Sequence, residues 1–508
     1  MRFEDWKCKM VDAIVIGSGI GGLSCAGILA KYGYDVLVCE SHAIAGGAAH
    51  GFERNGFKFD SGPSLYSGMS YSPSPNPLRQ VLDAIDEDIE WLNYDTWGCC
   101  LPEGTFDTQV GSEQFCEVLQ RLRGENAVAE WKKLQQVMTP LAKAAIALPP
   151  AAVRYDFGAL LSVGQYLPKM LQNAIGLSQI TGAFSPVMDK VVSDPFIRNW
   201  MDLLCFLLSG LPAESTNAAE VAFMFADWYR PNVQLDYPKG GSGAIVDALV
   251  RGLKKFGGKI RLNAHVEKVL VENQKAVGVK LRNGEELRSR YVISNASIWD
   301  TLKLVNSSEF TQQRQDTPQC DSFMHLHLGI DGQGLDHLAC HHIVVNDWSL
   351  GITAPQNVVL ISIPSLLDPS LAPTGKHAIH VYTPGNEPYE IWEKCDSYPE
   401  LKQQRAEVMW KALERVIPDI RSRTELALVG TPLTHERFLR RHRGTYGAAI
   451  RATDGLFPSA LTPISGLLCC GDSTFPGIGL PAVAASGMIA ANTIAPIRKH
   501  LDLLKQIQ

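Results

Sequence analysis

This 508-residue chain has no surplus of positive charge, no long apolar run and no cysteine framework. Each absence narrows what it can be. Its 47 Lys+Arg stand against 53 Asp+Glu, a net charge of −6 with a pI of about 6.1, which excludes a basic nucleic-acid binder. The longest apolar run, 203–212 through Leu204, Cys205, Phe206, Leu207 and Leu208, is about half the ~20 residues that a spanning helix needs. The chain is therefore expected to be soluble or to lie on a membrane surface. Its 12 cysteines are dispersed, and the pairs Cys99–Cys100 and Cys469–Cys470 have neither C-x-x-C spacing nor the density of a disulfide scaffold, which points to a reducing compartment. Residues 1–11 are polar, with no signal-peptide core and no room for a long transit peptide. There is no internal repeat and no low-complexity tract. At 45% hydrophobic and 20% charged residues, the chain has the composition of a packed globular protein.

What is present begins with Asp12–Ile16, a short β-branched run closed by Gly17-Ser18-Gly19-Ile20-Gly21-Gly22. A helical pattern from Leu23 to Lys31 follows, stopping at Gly33, and a second strand from Tyr34 to Cys39 ends on Glu40. This order, with an acid 18 residues after Gly22, is the dinucleotide-binding fingerprint. Gly17 permits the tight turn, Gly19 lets backbone approach a pyrophosphate, and Gly22 lets helix and strand pack closely. The helix N-terminus turns its free N–H groups to the phosphates, and Glu40 can accept hydrogen bonds from both adenosine ribose hydroxyls.

A second pair, Gly46-Gly47, leads to Asp60-Ser61-Gly62-Pro63. An ordinary NAD enzyme would continue directly into βα units; a glycine-rich excursion suits a larger cofactor with a ribityl chain and ring. The competing reading is a plain hairpin of turn residues. From 77 to 236 long helical periodicities prevail with few strand signals. Leu141–Phe184 is apolar, with Lys143, Arg154 and Lys169 against Asp156, and Phe157, Tyr166 and Met170 alongside. Such a stretch can sit among anionic headgroups or form the lid or core of a substrate domain.

The α/β signature returns with Pro238-Lys239-Gly240-Gly241, the helix 244–256, and strands at 259–262, 266–272, 276–282 and 291–294, with the hairpin turn Asn283-Gly284. The cofactor domain is thus discontinuous: 1–76, 237–300 and 426–508, with substrate-domain portions at 77–236 and 301–425. Strand-like runs at 324–328, 358–363 and 378–382 and an amphipathic helix at 404–416 belong to the latter. Near the end, a buried strand enters Gly471-Asp472, and Pro476-Gly477-Ile478-Gly479 leads into the small-residue helix 481–492. A carboxylate beside a helix N-terminus suits a sugar-like polyol.

Together these runs, with Ile293-Ser294-Asn295-Ala296, resemble the FAD-dependent phytoene desaturase and carotenoid isomerase superfamily. His325-Leu326-His327-Leu328-Gly329, Thr431-Pro432-Leu433-Thr434-His435-Glu436-Arg437, Gly444-Thr445-Tyr446-Gly447 and Asp472-Ser473-Thr474-Phe475-Pro476-Gly477 are similar to the carotenoid (prolycopene) isomerase-like branch. The resemblance implies an α/β fold: a Rossmann-like FAD-binding domain of the glutathione reductase and amine oxidase type, with an inserted, largely helical α+β substrate domain and an apolar tunnel. It places Gly17, Ser18, Gly19, Gly21, Gly22, Glu40, Gly46, Gly47, Asp60, Gly62, Val266, Gly471, Asp472 and Gly479 at the cofactor, with Glu40 on the adenosine ribose, Val266 beside the adenine and Asp472 on the ribityl chain or pyrophosphate. Two departures stand out: Ala48 replaces the arginine of many relatives, and the turn Gly479-Leu480-Pro481-Ala482 differs from the isomerases.

The activity so implied is cis–trans isomerisation of poly-cis carotenes, redox-neutral with reduced FAD, with NAD(P)H or another reductant as an indirect donor. A net redox desaturase or saturase and a non-catalytic carotenoid carrier are the alternatives. The partner is a hydrophobic polyene, with peripheral membrane contact and a cytoplasmic or plastid location; the oligomeric state is open. Glu436 or His435 is the candidate to move a proton, against a solvated helix face that merely pairs charges. Tyr446 is expected in tunnel or flavin packing. His325 and His327 share a strand face with His341-His342 nearby, but without a third spaced acid or cysteine no metal site is expected.

Overall fold

The computed structural model describes residues 10–62, 64–111, 113–394 and 396–507. The expectation for residues 1–9, and Pro63 of the Asp60–Pro63 run, lie outside them. Val11–Ile16 pairs in parallel with Val36–Cys39 on one side and Glu286–Ser294 on the other. Lys259–Arg261 and Leu467–Cys469 extend the sheet at its two ends, also in parallel. Near-continuous apolar strands are what a sheet buried on both faces requires. Helices Ile20–Lys31, Ser242–Lys255 and Leu480–Ile494 cover one face. The antiparallel ladder of Val266–Glu272, Lys275–Leu281 and the first half of Glu286–Ser294 buries Val269, Val279 and Leu287 with Val11, Ile14 and Ile16 of the parallel sheet. The Asn283-Gly284 turn joins its last two strands.

The second sheet runs in the order Thr424–Gly430, Ser322–Asp331, Lys376–Glu387, Val358–Ser362, His341–Val345, Thr96–Leu101, Gly104–Gln109. Alternation divides its strands between two environments. Met324, Leu326, Leu328, Val359 and Ile361 pack under the helix Tyr398–Val416 through Met409 and Leu413. On the opposite face, Ile343, Val345, Val358 and Leu360 meet the helices Glu125–Ala145, Pro195–Ser209 and Ala218–Trp228. That face continues past Tyr382 into histidines turned toward the cofactor domain.

Two expectations need correction. Residues 77–236, expected to be mostly helical with few strands, contain these: Thr96–Leu101 and Gly104–Gln109 form a hairpin that joins the second sheet, and Trp91–Tyr94 pairs with Leu235–Pro238. These strands are short and glycine-interrupted, so their periodicity is weak. The boundary at 425 cuts through a strand, because Thr424–Gly430 pairs with Ser322–Asp331 and belongs to the substrate sheet. Arg154 and Tyr166 are buried rather than turned to a lipid surface. The Arg154 guanidinium pairs with Asp156 (Nη2–Oδ2 2.6 Å) and donates to the Ala495 carbonyl at 2.7 Å. The ten described cysteines are all free thiols, and no described helix is long and apolar enough to cross a membrane.

Candidate active site

The glycine loop is shaped by backbone meeting backbone. A Cβ on Gly22 would lie 2.3 Å from the Gly17 carbonyl oxygen, and one on Gly47 would lie 3.1 Å from the Gly19 Cα. The two glycine clusters are thus one structure: Gly46 bridges to Gly19 and donates its N–H to the Ser18 carbonyl at 3.0 Å. Gly62 closes against them, its missing Cβ 2.5 Å from the Ala48 carbonyl oxygen. Beneath the loop sits a residue whose role the sequence pattern did not reveal, Asn295. Its N–H donates to the Ile16 carbonyl at 2.9 Å, and a Cβ on either Gly19 or Gly21 would come within 2.7 Å of its side-chain amide.

Glu40 is buried, with Oε2 accepting from the Ser18 N–H (2.8 Å) and hydroxyl (2.6 Å) and Oε1 from the His42 N–H (2.7 Å). The Ser41 hydroxyl also donates to Oε1, at a longer 3.3 Å; it is the weakest of the four bonds, and the one that a ribose hydroxyl would replace, since a carboxylate has about four acceptor positions. Ala264 donates to the Glu40 carbonyl at 2.7 Å, bringing the strand that begins with buried Val266 beside this acid. At the other end, Gly471 takes a φ of 106° and Gly479 one of 93°. Asp472 pairs with Arg441, whose Nη2 also donates to the Tyr446 carbonyl at 2.8 Å.

The Asp60 carboxylate is held by the protein itself: Tyr237 hydroxyl donates to Oδ2 at 2.7 Å, and the Ser242 N–H and hydroxyl donate to Oδ1 at 2.7 and 2.8 Å. Burial pushes its carboxyl above the usual range and these bonds pull it back. It anchors the first turn of the Ser242–Lys255 helix. Glu436 also turns elsewhere, with Tyr389 hydroxyl donating to it at 2.5 Å. His435, one residue earlier and about 100° around the helix, faces the site.

The cofactor fit rests on the two helix ends that point here. The Ile20–Lys31 and Leu480–Ile494 helices start at Gly19 and Gly479, and neither has a side-chain cap. Their first N–H groups need an external acceptor, and the positive dipole ends favour an anion. A pyrophosphate and ribityl chain would supply acceptors for such groups.

Strand register builds a stack of imidazoles over this region. His327 lies directly opposite His380, and His325 opposite Tyr382. The His327 and His380 rings stack at 4.4 Å, only 5° from parallel. His325 Nδ1 is 2.7 Å from His380 Nε2, and its Nε2 is 2.5 Å from His435 Nε2. His327 Nε2 donates to the Asp60 carbonyl at 3.0 Å, tying the sheet to the cofactor domain. His325, His327 and His380 bring one ring nitrogen each within 4.8 Å of the others. Nitrogens sharing a tetrahedral metal stand ~3.3 Å apart with lone pairs converging. Parallel rings at hydrogen-bond separation are instead a hydrogen-bonded chain. Burial, reinforced by their mutual repulsion, holds His325 and His380 well below the usual imidazole range, while burial pulls His327 to about 4 and His435 to about 3, Arg441 adding to the latter. Phe323 stacks on His435 at 5.4 Å and meets Tyr446 edge-on at 5.2 Å.

Fold and site together define a flavoprotein. The chain belongs to the flavin-containing amine oxidoreductase family, whose model matches residues 20–495. It is 35% identical to a chloroplastic prolycopene isomerase of Daucus carota over 96% of this chain and 80% of that protein. It is 32% identical to the prolycopene isomerase of Arabidopsis thaliana, over 96% and 83%. Among solved structures, an oxidoreductase from Methanosarcina mazei superposes with a TM-score of 0.60 at 20% identity, covering 94% of this chain and 99% of that one, which supports the fold alone. The chain is an FAD-fold enzyme.

Two outcomes follow. Gly22→Ala drives a methyl into the Gly17 carbonyl, so the purified variant should retain less than about a tenth of the flavin of the parent, read from visible absorbance, since a strained loop forfeits several kcal/mol of cofactor binding. His325, His327, His380 and the half-buried His435 are neutral when folded, whereas unfolded they take up protons below about pH 6.5. Their folded values are depressed, so this stability is complete above pH 6.5 and is lost as pH falls toward 4, by about 1.4 kcal/mol per pH unit for each histidine. Thermal unfolding followed across that range should show the loss, and His380→Gln should flatten it.

Proposed function

We propose that this protein is an FAD-dependent carotenoid cis–trans isomerase that acts on poly-cis carotenes such as prolycopene and is redox-neutral overall. The observation that carries the reading is the near full-length similarity to prolycopene isomerases. Rotation about a C=C bond faces a barrier well above the ~18–20 kcal/mol of a peptide bond, and each 1.36 kcal/mol removed is tenfold in rate. Reduced flavin supplies the electron density that weakens such a bond, with NAD(P)H or another reductant maintaining it indirectly.

The chain's own residues do the rest. The Gly17–Gly22 loop, Gly46-Gly47 and the two uncapped helix ends hold the pyrophosphate, with Glu40 on the adenosine ribose, Val266 at the adenine and Asp472 with Arg441 near the ribityl chain. Phe323, Tyr382 and Tyr446 give the polyene a flat aromatic wall, and burial of its surface stabilises the complex by about 25 cal/mol per Å². The buried sheets exclude water from a reactive intermediate. His435 carries a proton on the site side, where Glu436 does not reach.

A hydrocarbon of this kind is delivered from a membrane. Phe157 is 96% exposed, and Leu160, Leu161, Leu167 and Leu171 are exposed on the short helices Ala159–Gly164 and Leu167–Gln172 with Lys169 among them. Peripheral attachment through this patch, in the cytoplasm or a plastid, accords with apolar side chains entering the acyl boundary beneath a basic rim.

Anaerobic incubation with poly-cis lycopene in vesicles, with flavin oxidised or reduced, tests the reaction. The expected result is an all-trans product of unchanged mass formed only with reduced flavin; a gain or loss of two hydrogens would show a saturase or desaturase instead, and no conversion in either state would favour a carrier. Phe157→Asp combined with Leu160→Asp should weaken sedimentation with anionic vesicles about tenfold or more, while flavin content stays unchanged.

A further inference from the structure

One side chain is bonded to both halves of this site. Arg441, just past the helix Pro432–Leu439, donates from Nε to the Thr445 carbonyl, and from Nη2 to the Tyr446 carbonyl at 2.8 Å and to the Asp472 carboxylate. Thr445 and Tyr446 close the turn that begins at Arg440, while Asp472 stands at the corner between the strand Leu467–Cys469 and the helix Leu480–Ile494. The Asp472 carboxylate keeps acceptor capacity for a ligand, since among the described residues its other oxygen takes only the Ser473 hydroxyl, at 3.1 Å. A planar guanidinium fork holds two carbonyls and a carboxylate in fixed directions at once; an ammonium on a flexible stem does not.

The turn depends on being held. Arg440 and Arg443 have φ of 53° and 51° and Gly444 one of 58°, and a left-handed backbone costs free energy at any residue that carries a Cβ. Every other described non-glycine residue with positive φ is Asn, Asp or Gln. Such strain persists where surrounding contacts over-determine it, and here they do: the His442 N–H donates to Asp300 at 2.8 Å, Arg443 Nη2 to Glu390 at 2.6 Å, and the Ser322 hydroxyl to the Gly444 carbonyl at 2.6 Å. What the turn delivers is the Tyr446 ring. A Cβ on Gly210 or on Gly385 would stand 3.2 Å from its Cδ1, and it meets Phe323 edge-on at 5.2 Å. A ring seated that closely moves when its turn moves.

We propose that Arg441 is a positioning residue that couples cofactor and substrate: with one guanidinium it aligns the Asp472 carboxylate for the ribityl chain and sets Tyr446 in the wall for the polyene. The inference rests on the polyene reading above for the identity of the second ligand. A ligand that fixes Asp472 fixes Arg441 and, through it, the turn 440–446. The polyene then meets a wall that is already ordered, which strengthens its binding without any contact between the two ligands. By linkage the effect is reciprocal, so a bound polyene slows the loss of flavin.

Three variants of the full chain, with oxidised FAD in excess, test this: Arg441→Met, Arg441→Lys and Asp472→Asn. The readouts are FAD affinity, poly-cis lycopene affinity in detergent micelles by quenching of tryptophan fluorescence, and hydrogen exchange at the Gly444, Thr445 and Tyr446 amides, which are all hydrogen-bonded. Arg441→Met should weaken FAD and lycopene about tenfold each, the value of a charge-assisted hydrogen bond, and speed exchange about as much. Arg441→Lys keeps a charge for Asp472 but not the fork, so FAD should return to within about threefold of the parent while lycopene and exchange do not. Asp472→Asn should weaken lycopene and speed exchange in a turn it does not belong to, and added to Arg441→Met it should cost lycopene nothing more. A merely structural arginine would lower the melting temperature without dividing the two ligands between methionine and lysine. Unchanged lycopene affinity and unchanged exchange in Asp472→Asn would overturn the coupling and leave the polyene reading intact. If Arg441→Met does not fold, the other two variants still decide. A parent that binds no lycopene while exchange responds as stated would overturn the polyene reading and leave the hold of Arg441 on the turn standing.

Discussion

The whole cofactor side of this protein depends on backbone touching backbone where a side chain would normally intervene. Gly22 against the Gly17 carbonyl, Gly47 against Gly19, Gly62 against the Ala48 carbonyl and Gly487 against the Gly21 carbonyl leave no space for a methyl. The last of these contacts packs the Leu480–Ile494 helix against the first turn of the Ile20–Lys31 helix. Neither helix start has a side-chain cap, and an anion there would meet free N–H groups and the positive end of a dipole. Asn295 completes the arrangement from below, its amide occupying the volume that side chains at 19 and 21 would need. The fingerprint glycines therefore serve the packing of the domain and the approach of the cofactor at once.

Strand alternation does the corresponding work on the substrate side. Ser322–Asp331 sends Met324, Leu326 and Leu328 into the core under the Tyr398–Val416 helix and Phe323, His325 and His327 to the opposite face. A register slip of one residue would exchange the two sets, burying imidazoles among leucines and turning leucines to the site. The register is pinned on both flanks, by Lys376–Glu387 and by Thr424–Gly430. It is further locked to the cofactor domain by the bond from His327 to the Asp60 carbonyl and by Phe57, which fills the space over Gly329. Asp60 in turn holds the first turn of the Ser242–Lys255 helix, so the positions of sheet and cofactor domain are set by one connected group of contacts.

The parallel strands, the glycine loop, Glu40 and the discontinuous return at Gly240-Gly241 were legible because each depends on local pattern: an apolar run, a turn residue, an acid at fixed spacing. The Thr96–Leu101 hairpin was not, because glycine and paired cysteines blur its alternation, and the boundary at 425 fell inside Thr424–Gly430 because pairing over a separation of about 100 residues leaves no local mark. His380 lies 55 residues from the histidine it bonds to, and only the antiparallel register brings them together. Asp60 shows the opposite case. Its motif was visible, but what its buried carboxylate bonds to within the protein depends on Tyr237 and Ser242, which the motif does not contain.

The imidazole chain bears on the chemistry through what it cannot do. Three neutral rings linked nitrogen to nitrogen can reverse their direction, but releasing a proton from His435 would leave an anion with no cation bonded to it, since the far nitrogen on His380 has no donor to restore it. Taking up a proton is equally resisted, because burial and mutual repulsion keep every ring neutral. The chain therefore acts as a set of neutral, hydrogen-bonded rings in a dry site, where such bonds are worth more than in water. What the histidines contribute is therefore position: bonded in a row from His380 through His325 to His435, they fix the face of the substrate sheet without adding a charge to it.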